Sequence, residues 1–301
     1  MRPLLLAGFL ACATAVSAAA ETVTIDTATG SAELETAPET VVVFDAPSID
    51  TLHALGQPIA GIPQPLYLSG IDDVVASAET VGTMFEPDFE ALAVMQPDLI
   101  IAGGRSSAQV EALSQIAPTI DMTIWGEGMV EQTRARIAAF GELFGKQAEA
   151  EALTGELDAK LAEAKEAVAG KGTGLIVLTN GGKISAYGAN SRFGWLHGAL
   201  DLPEAHPGLE DDTHGQAISF EFIAETDPDW LLVIDRGAAI NADSQSAQAT
   251  LDNPLVARSK AAQQGHILYL DAAPMYISGG GASSMMHTLD EVIAAFNTSE
   301  S

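Results

Sequence analysis

Three arginines, Arg105, Arg192 and Arg236, are placed where they could hold an anion. Arg105 and Arg236 each follow a short apolar run ("LIIA" and "WLLVI"), and Arg192 lies in the glycine-bounded loop "YGANSRFGW". A guanidinium forms charge-assisted, often bidentate hydrogen bonds with anionic oxygens, each worth roughly 1.5–3 kcal/mol. Guanidiniums that meet in one cavity repel each other unless an anion lies between them. The pattern therefore predicts an anion-binding site.

Two further side chains are compatible with a hard metal ion. His214 lies in the loop "DDTHGQAISFEF", and Tyr276 precedes a glycine run in "APMYISGGGASS". Ferric iron suits oxygen donors and tolerates imidazole. A phenolate forms at neutral pH when a strong positive charge lowers the phenol pKa from about 10. Taken singly, the histidine fits an exposed loop and the tyrosine fits ordinary packing, so only the combination with the arginines indicates a metal-complex site.

The charge balance excludes some partners. The chain has 301 residues and a formal net charge of −28, with 41 acidic residues against 13 basic ones. Such a surface repels nucleic acid and anionic lipid, so neither is expected as a partner. The remaining internal arginines, Arg134, Arg136 and Arg258, are predicted to be plain surface residues.

Residues 1–20 have the pattern of a secretory signal peptide. Arg2 precedes a short apolar stretch, which ends in small residues, and cleavage is predicted after Ala20. A lipid anchor at Cys12 is the alternative. Because Cys12 is the only cysteine and lies in this segment, the mature chain is expected to have no disulfide and no thiolate metal site. With such a signal peptide, the mature chain is predicted to be secreted.

One pattern occurs twice along the chain. "EALAVMQPDLIIAGGR" (Glu90 to Arg105) and "EFIAETDPDWLLVIDR" (Glu221 to Arg236) both read E-x2-A-x3-P-D-x6-R. In each, an acidic residue opens a helical stretch, Pro-Asp ends it, and an apolar strand leads to the arginine. The repeat indicates one helix–strand unit used in two lobes.

The rest of the chain predicts an α/β fold with two Rossmann-like lobes and a ligand cleft between them. "TVVVFD" and "GLIVLTN" are predicted buried strands, and "KISAYG" is predicted to pair with the second as a hairpin. Residues 147–170 predict one long helix with an apolar stripe. The predicted organisation is a signal peptide (1–20), an N-terminal lobe (21–146), a connecting helix (147–170) and a C-terminal lobe (171–301). Ligands of such sheets bind at the carboxyl ends of the strands, where Arg105 and Arg236 stand.

Other functional classes fit less well. Ser278, His287 and Asp290 are close in sequence, but no G-x-S-x-G motif occurs and the strand–Ser–helix context of a hydrolase is missing, so we do not expect an enzyme. A zinc or manganese site would gather several histidines, whereas the six histidines of this chain are scattered.

Five motifs carry a family resemblance: "GGR", "SRFG", "THGQAISFEF", "VIDR" and "YISGGG". Together they resemble the periplasmic binding proteins of iron–siderophore ABC importers, in the branch that binds ferric catecholates. The resemblance implies two lobes joined by one rigid helix. It also implies a monomer with no intrinsic cofactor, which delivers an Fe(III)–siderophore complex to an ABC permease in the inner membrane.

The resemblance also implies a role for each candidate residue. Arg105, Arg192 and Arg236 would hold catecholate oxygens, and His214 and Tyr276 would complete the iron coordination of a linear, tetradentate siderophore. The acidic positions that open the repeat, Glu90 and Glu221, would dock onto the permease, although a helix-start glutamate is also favoured by the helix dipole.

One departure and one rival ligand remain at this stage. Met275 stands where family members often have an aromatic residue, so one wall of the pocket is expected to differ. Haem or another chelate, of hydroxamate or carboxylate type, is the alternative ligand in the same fold.

Overall fold

Two five-stranded sheets, one from each half of the chain, form the frame of the protein. A computed structural model describes residues 21–126, 128–210 and 214–298, so the predicted signal peptide and Cys12 lie outside the described residues. The strands are β1 (Thr22–Thr27), β2 (Gly30–Glu35), β3 (Val41–Val43), β4 (Gly61–Ile62), β5 (Glu79–Thr80), β6 (Leu99–Ala102), β7 (Thr119–Asp121), β8 (Gly174–Asn180), β9 (Lys183–Tyr187), β10 (Gln216–Ile218), β11 (Trp230–Asp235) and β12 (Ile267–Leu270).

Helices alternate with these strands, as expected for sheets that are largely parallel. They are α1 (Ala46–Ala54), α2 (Asp72–Ser77), α3 (Phe89–Met95), α4 (Val110–Leu113), α5 (Met129–Leu143), α6 (Gln147–Val168), α7 (Trp195–Leu200), α8 (Phe220–Thr226), α9 (Arg236–Ala239), α10 (Ala247–Leu251), α11 (Lys260–Gln264), α12 (Ala272–Tyr276) and α13 (Ala282–Thr298), with 3₁₀ helices at Gly104–Gln109 and Val256–Arg258. In the described part of the chain, no helix combines the length and apolar character needed to cross a membrane.

The sheet orders confirm the predicted α/β class. The N-terminal sheet has the order β5-β4-β3-β6-β7 with parallel neighbours. The C-terminal sheet has the order β10-β9-β8-β11-β12, in which β8, β11 and β12 are parallel. β9 pairs antiparallel with β8, which confirms the predicted hairpin. The antiparallel hairpin of β1 and β2 was not predicted.

Helix α6 follows the N-terminal sheet and precedes the C-terminal one. Its apolar stripe is buried, as the spacing predicts, at Leu153, Leu157, Leu161, Ala164 and Val168. The stripe packs against α5 and α13, so this helix belongs to a core that both halves share.

The repeated segments adopt the same local structure. α3 and α8 both end at a residue in the left-handed conformation, Gln96 and Asp227, immediately before Pro-Asp. Asp98 then accepts hydrogen bonds from the backbone N–H groups of Glu39 and Thr40, just before β3. Asp229 accepts in the same way from Thr173, just before β8. The repeated aspartate therefore fixes the entrance of the central strand in each sheet.

The first turn of α13 joins the two lobes. Asp50 on α1 accepts hydrogen bonds from the backbone N–H groups of Ser283 and Ser284, at 2.8 and 3.0 Å. On α5, the Thr133 hydroxyl donates to the carbonyl oxygen of Gly280. We call this contact, formed by Asp50, Thr133 and residues 280–285, the interlobe joint. It supplies the acceptors that the first N–H groups of a helix otherwise lack.

Candidate functional site

A cleft of about 370 Å³ lies between the two lobes. Its N-terminal wall consists of residues that follow the carboxyl ends of β3, β5, β6 and β7, which is where parallel sheets place their ligand sites. Arg105, Arg192 and Tyr276 line the cleft. Arg236 reaches it through its contact with Tyr276, described next.

Tyr276 is the point on which the three predicted arginines converge. The guanidinium carbons of Arg105, Arg192 and Arg236 lie 5.4, 4.7 and 5.7 Å from the centre of its ring. Nε of Arg236 donates to the phenol oxygen at 3.0 Å. The carbonyl oxygen of Tyr276 accepts from Nη2 of Arg105 at 2.8 Å and from Nη2 of Arg192 at 2.9 Å. The side chains predicted from sequence thus form one cationic cluster around one phenol.

The loop after β6 places Arg105. Gly103 separates the strand from the 3₁₀ helix that carries the arginine, and Gly104 is the first residue of this helix. A Cβ on Gly103 would lie 2.9 Å from the carboxylate of Asp45, so the close approach of these two loops requires glycine. Arg105 then spans the cleft and also donates to the carbonyl oxygen of Ile277, at 3.1 Å.

The loop between β9 and α7 places Arg192. The Ser191 hydroxyl donates to the Gly188 carbonyl and closes this loop. A Cβ on Gly194 would lie 2.0 Å from the carbonyl oxygen of Ala189, so the turn can close only with glycine. The guanidinium of Arg192 is held over the Phe193 ring, at 4.6 Å, and beside Trp125 in the other lobe, at 5.7 Å.

Burial and mutual repulsion disfavour the positive charges of the arginine cluster. Burial lowers the pKa of Arg105. Burial and then the charge of Arg105 lower the pKa of Arg192. Burial alone would raise the pKa of the Tyr276 phenol, but the hydrogen bond from Arg236 and the three positive charges outweigh it, so this pKa lies below its ordinary value. The site therefore favours a phenolate and a negatively charged ligand.

Arg136 is a correction to the sequence analysis, which predicted a surface residue. Its side chain is 2% exposed and forms an ion pair with the buried carboxylate of Asp45, at 3.4 Å. It also donates to the carbonyl oxygen of Met122. Arg136 lies on the inner face of α5, next to Ile137. Arg134, on the same helix, is at the surface as predicted, where it pairs with Asp158.

His214 is exposed and is not among the residues that line the cleft. It immediately precedes Gly215 and β10, and its carbonyl oxygen accepts a hydrogen bond from the Tyr187 hydroxyl at 2.7 Å. Its predicted role as an iron ligand stays a prediction. Among the described residues, no group of three or more His, Cys, Asp or Glu side chains is arranged to hold a metal ion.

The sequence analysis missed the aromatic and apolar wall of the cleft. On the N-terminal side the lining includes Phe85 and Trp125, of which 62% and 49% are exposed. Met275, the predicted departure, lines the other side and is buried. Trp125 lies four residues beyond the end of β7. An aromatic residue shortly after a strand end is the signal that could have identified this position.

A model of the family described as "Periplasmic binding protein" matches residues 41–274. The chain belongs to this family. The match covers both sheets and the residues between them, from the first strand of the N-terminal sheet to α12. The predicted resemblance to this class of protein is confirmed.

Several family members are similar over almost the whole chain. The petrobactin-binding protein YclQ of Bacillus subtilis is 38% identical over 262 residues, which is 85% of this chain and 81% of that protein. Its crystal structure superposes with a TM-score of 0.86, covering 92% of this chain and 99% of that chain. The iron uptake ABC transporter substrate-binding protein PiuA of Streptococcus pneumoniae gives a TM-score of 0.83 at 35% identity, over 91% and 99% of the two chains.

A third similar structure is the periplasmic catecholate-siderophore binding protein VctP of Vibrio cholerae. It gives a TM-score of 0.84 at 31% identity, and the superposition covers 91% of this chain and all (100%) of that one. The two-lobe fold predicted from the repeat is thus shared with solved members of the family.

Proposed function

We propose that this protein captures a ferric siderophore of the catecholate type and delivers it to an ABC permease. The observation that carries the proposal is the convergence of Arg105, Arg192 and Arg236 on Tyr276 at the interlobe cleft. A ferric catecholate complex is anionic, and its charge is spread over several oxygens. Its insertion would relieve the repulsion between the guanidiniums and give each of them a charge-assisted acceptor.

Tyr276 has a second role in this proposal, as a ligand of iron. Its phenolate is favoured by the neighbouring arginines, and a linear siderophore with two catechols leaves two of the iron coordination positions open. Tyr276 would fill one of these positions. His214 would fill the other, although it is not among the residues that line the cleft.

Glu90 and Glu221 are proposed as the contacts with the permease. Both are exposed, and each lies in the first turn of the helix that opens a repeat. In a parallel α/β sheet, a helix that leads into a strand begins at the edge where the strands end. The two carboxylates therefore belong to the cleft side of each lobe, where a permease would receive the ligand.

The proposed location of the mature chain is the periplasm. The family is one of periplasmic binding proteins. Cleavage after Ala20 would release a monomeric mature chain into the periplasm, with a lipid anchor at Cys12 as the alternative.

The test is a titration of the mature protein with a linear ferric bis-catecholate. Tryptophan emission and the visible charge-transfer band are followed together, and Trp125 at the cleft is the expected reporter, since Trp195 and Trp230 are buried. We expect saturable quenching, with a band shift that Tyr276→Phe and His214→Ala each reduce. Haemin binding in place of the catecholate would contradict the proposal.

Docking is tested separately from capture. Glu90→Arg combined with Glu221→Arg is expected to leave ferric catecholate affinity unchanged and to abolish iron uptake by cells that depend on this protein. The matched control is Glu156→Arg, on the exposed face of α6. Full uptake with the double variant would show that the permease binds elsewhere.

A further inference from the structure

The two sides of the cleft differ in chemistry. The C-terminal side presents Arg192 and Tyr276, whereas the N-terminal side presents Arg105 together with a group of apolar side chains, namely Phe44, Met84, Phe85, Ile124, Trp125 and Met129. Within this wall Phe44, Met84 and Met129 are buried, but Phe85 and Trp125 remain largely exposed. Large aromatic side chains held in water at a cleft mark a contact surface for a ligand.

The backbone holds both aromatic residues in place. The Trp125 N–H donates to Oε1 of Gln132 at 3.3 Å, and Nε2 of Gln132 donates back to the Trp125 carbonyl at 2.9 Å. The Phe85 carbonyl accepts from Nε2 of Gln109 at 3.0 Å, and its N–H donates to the Thr83 hydroxyl. These hydrogen bonds fix the backbone at both positions, so both rings project from fixed points of the N-terminal wall.

Arg192 connects the aromatic wall with the anion site. Its guanidinium lies 5.7 Å from the centre of the Trp125 ring and 4.7 Å from that of Tyr276. An anionic oxygen bound to Arg192 would therefore lie close to the indole. A group that carries its anionic oxygens on an aromatic ring satisfies both surfaces at once. An aliphatic hydroxycarboxylate satisfies only the arginine.

We propose that Phe85 and Trp125 form an aryl subsite, which selects ferric complexes whose oxygen donors are carried on aromatic rings. This inference rests on the proposed function, since it names the residues that would distinguish a catecholate from an aliphatic ferric chelate. Ring–ring contact at the subsite adds to the charge-assisted bonds of the arginines. The subsite lies on the N-terminal lobe and uses none of the arginines or metal-compatible residues predicted from sequence.

The experiment measures affinity by calorimetry for two probes, a linear ferric bis-catecholate and ferric citrate. The variants are Trp125→Leu, Trp125→Phe and Phe85→Leu, and the matched control is Phe89→Leu, an exposed aromatic residue on α3 that does not line the cleft. Both leucine variants are expected to bind the catecholate roughly 3- to 10-fold more weakly, and Trp125→Phe should recover most of the loss. Ferric citrate binding and the control should not change.

Three results would overturn the inference. The first is unchanged catecholate affinity in both leucine variants. The second is an equal loss of affinity for both probes. The third is a Trp125→Phe variant that binds as weakly as Trp125→Leu, which would show that the shape of the side chain matters and the ring contact does not. A wild-type protein that binds neither ferric complex would contradict the proposed function first, so the two failures are distinguishable. Thermal unfolding of each variant checks that the fold is intact.

Discussion

Nε of Arg236 donates a hydrogen bond to the phenol oxygen of Tyr276 across 3.0 Å. A donor in this position stabilises the ionised phenol, and Arg105 and Arg192 add positive charge on the other sides of the ring. These contacts lower the pKa of the phenol, as the proposed role of Tyr276 as an iron ligand requires. The same arrangement places three guanidiniums close together, and their positive charges repel each other.

Removal of the Arg236 donor should raise the pKa of Tyr276. Arg236→Gln removes the positive charge of this residue and replaces a charged donor by a neutral amide, which weakens the two largest influences that lower this pKa, so the phenol should ionise at higher pH. The measurement is the near-ultraviolet absorbance of tyrosinate against pH in the ligand-free protein. The chain has four tyrosines, and Tyr276→Phe identifies the relevant step. Arg258→Gln, at an exposed position, is the matched control and should leave the titration unchanged.

Arg192→Gln is expected to weaken ligand binding and to stabilise the ligand-free fold. Burial and the charge of Arg105 disfavour the Arg192 cation, so its loss removes an unfavourable term from the folded state. The ferric catecholate complex should lose about tenfold or more in affinity, because one charge-assisted contact disappears. Calorimetry and urea unfolding measure the two effects. A variant that is both weaker in binding and less stable would show that the arginine is a structural support.

Arg136→Gln and Arg134→Gln should differ sharply although the two residues are neighbours on α5. Arg136→Gln leaves the buried carboxylate of Asp45 without its ion-pair partner, and we expect a loss of about 3–5 kcal/mol in the free energy of unfolding. Arg134→Gln breaks a partly exposed pair with Asp158 and should cost at most about 1 kcal/mol. Urea unfolding of both variants checks this. Equal losses would contradict the assignment of Arg136 to the core.

Asp50 should lower the free energy of unfolding as the pH rises, which is the opposite of the effect of a carboxylate with a lowered pKa. Burial raises its pKa from 3.8 to about 6, so the folded protein binds this proton more tightly than the unfolded chain does. The stabilising effect of the proton is complete below the unfolded pKa and is lost as the pH rises through about 6. Asp50→Asn should remove this contribution to the pH dependence.

The measurement for Asp50 is urea unfolding of the wild type and the variant at several pH values across that range. Glu156→Gln, on the exposed face of α6, is the matched control. If the difference between wild type and Asp50→Asn did not vary with pH, the carboxylate would have the same pKa in both states.

Local patterns in the sequence were sufficient for the fold class. The spacing of the leucines in α6 and the paired E-x2-A-x3-P-D-x6-R segments depend on contacts within one helix or one helix–strand unit, so they can be read without knowledge of the rest of the chain. The convergence of Arg105 and Arg236 could be anticipated for the same reason, since strand ends in such sheets share an edge. The cause of the repeated Pro-Asp is not local, because Asp98 and Asp229 bind Thr40 and Thr173, which lie 58 and 56 residues away at the entrances of other strands.

Contacts between distant segments could not be predicted in this way. Arg134 and Arg136 lie on opposite faces of α5, and the partner of the buried arginine, Asp45, is distant in the sequence. Phe85 and Trp125 are far apart in the sequence, and the strand order of the N-terminal sheet brings both to the cleft. His214 is not among the residues that line the cleft, so its role as an iron ligand stays a prediction.

The interlobe joint limits how the protein can take up its cargo. A wide separation of the lobes would strip Asp50 from the first turn of α13 and leave buried polar groups without partners. We therefore expect the separation of the lobes to change little when the ligand enters. Release would then require the permease to bind both lobes and to disrupt the hydrogen bonds of the interlobe joint.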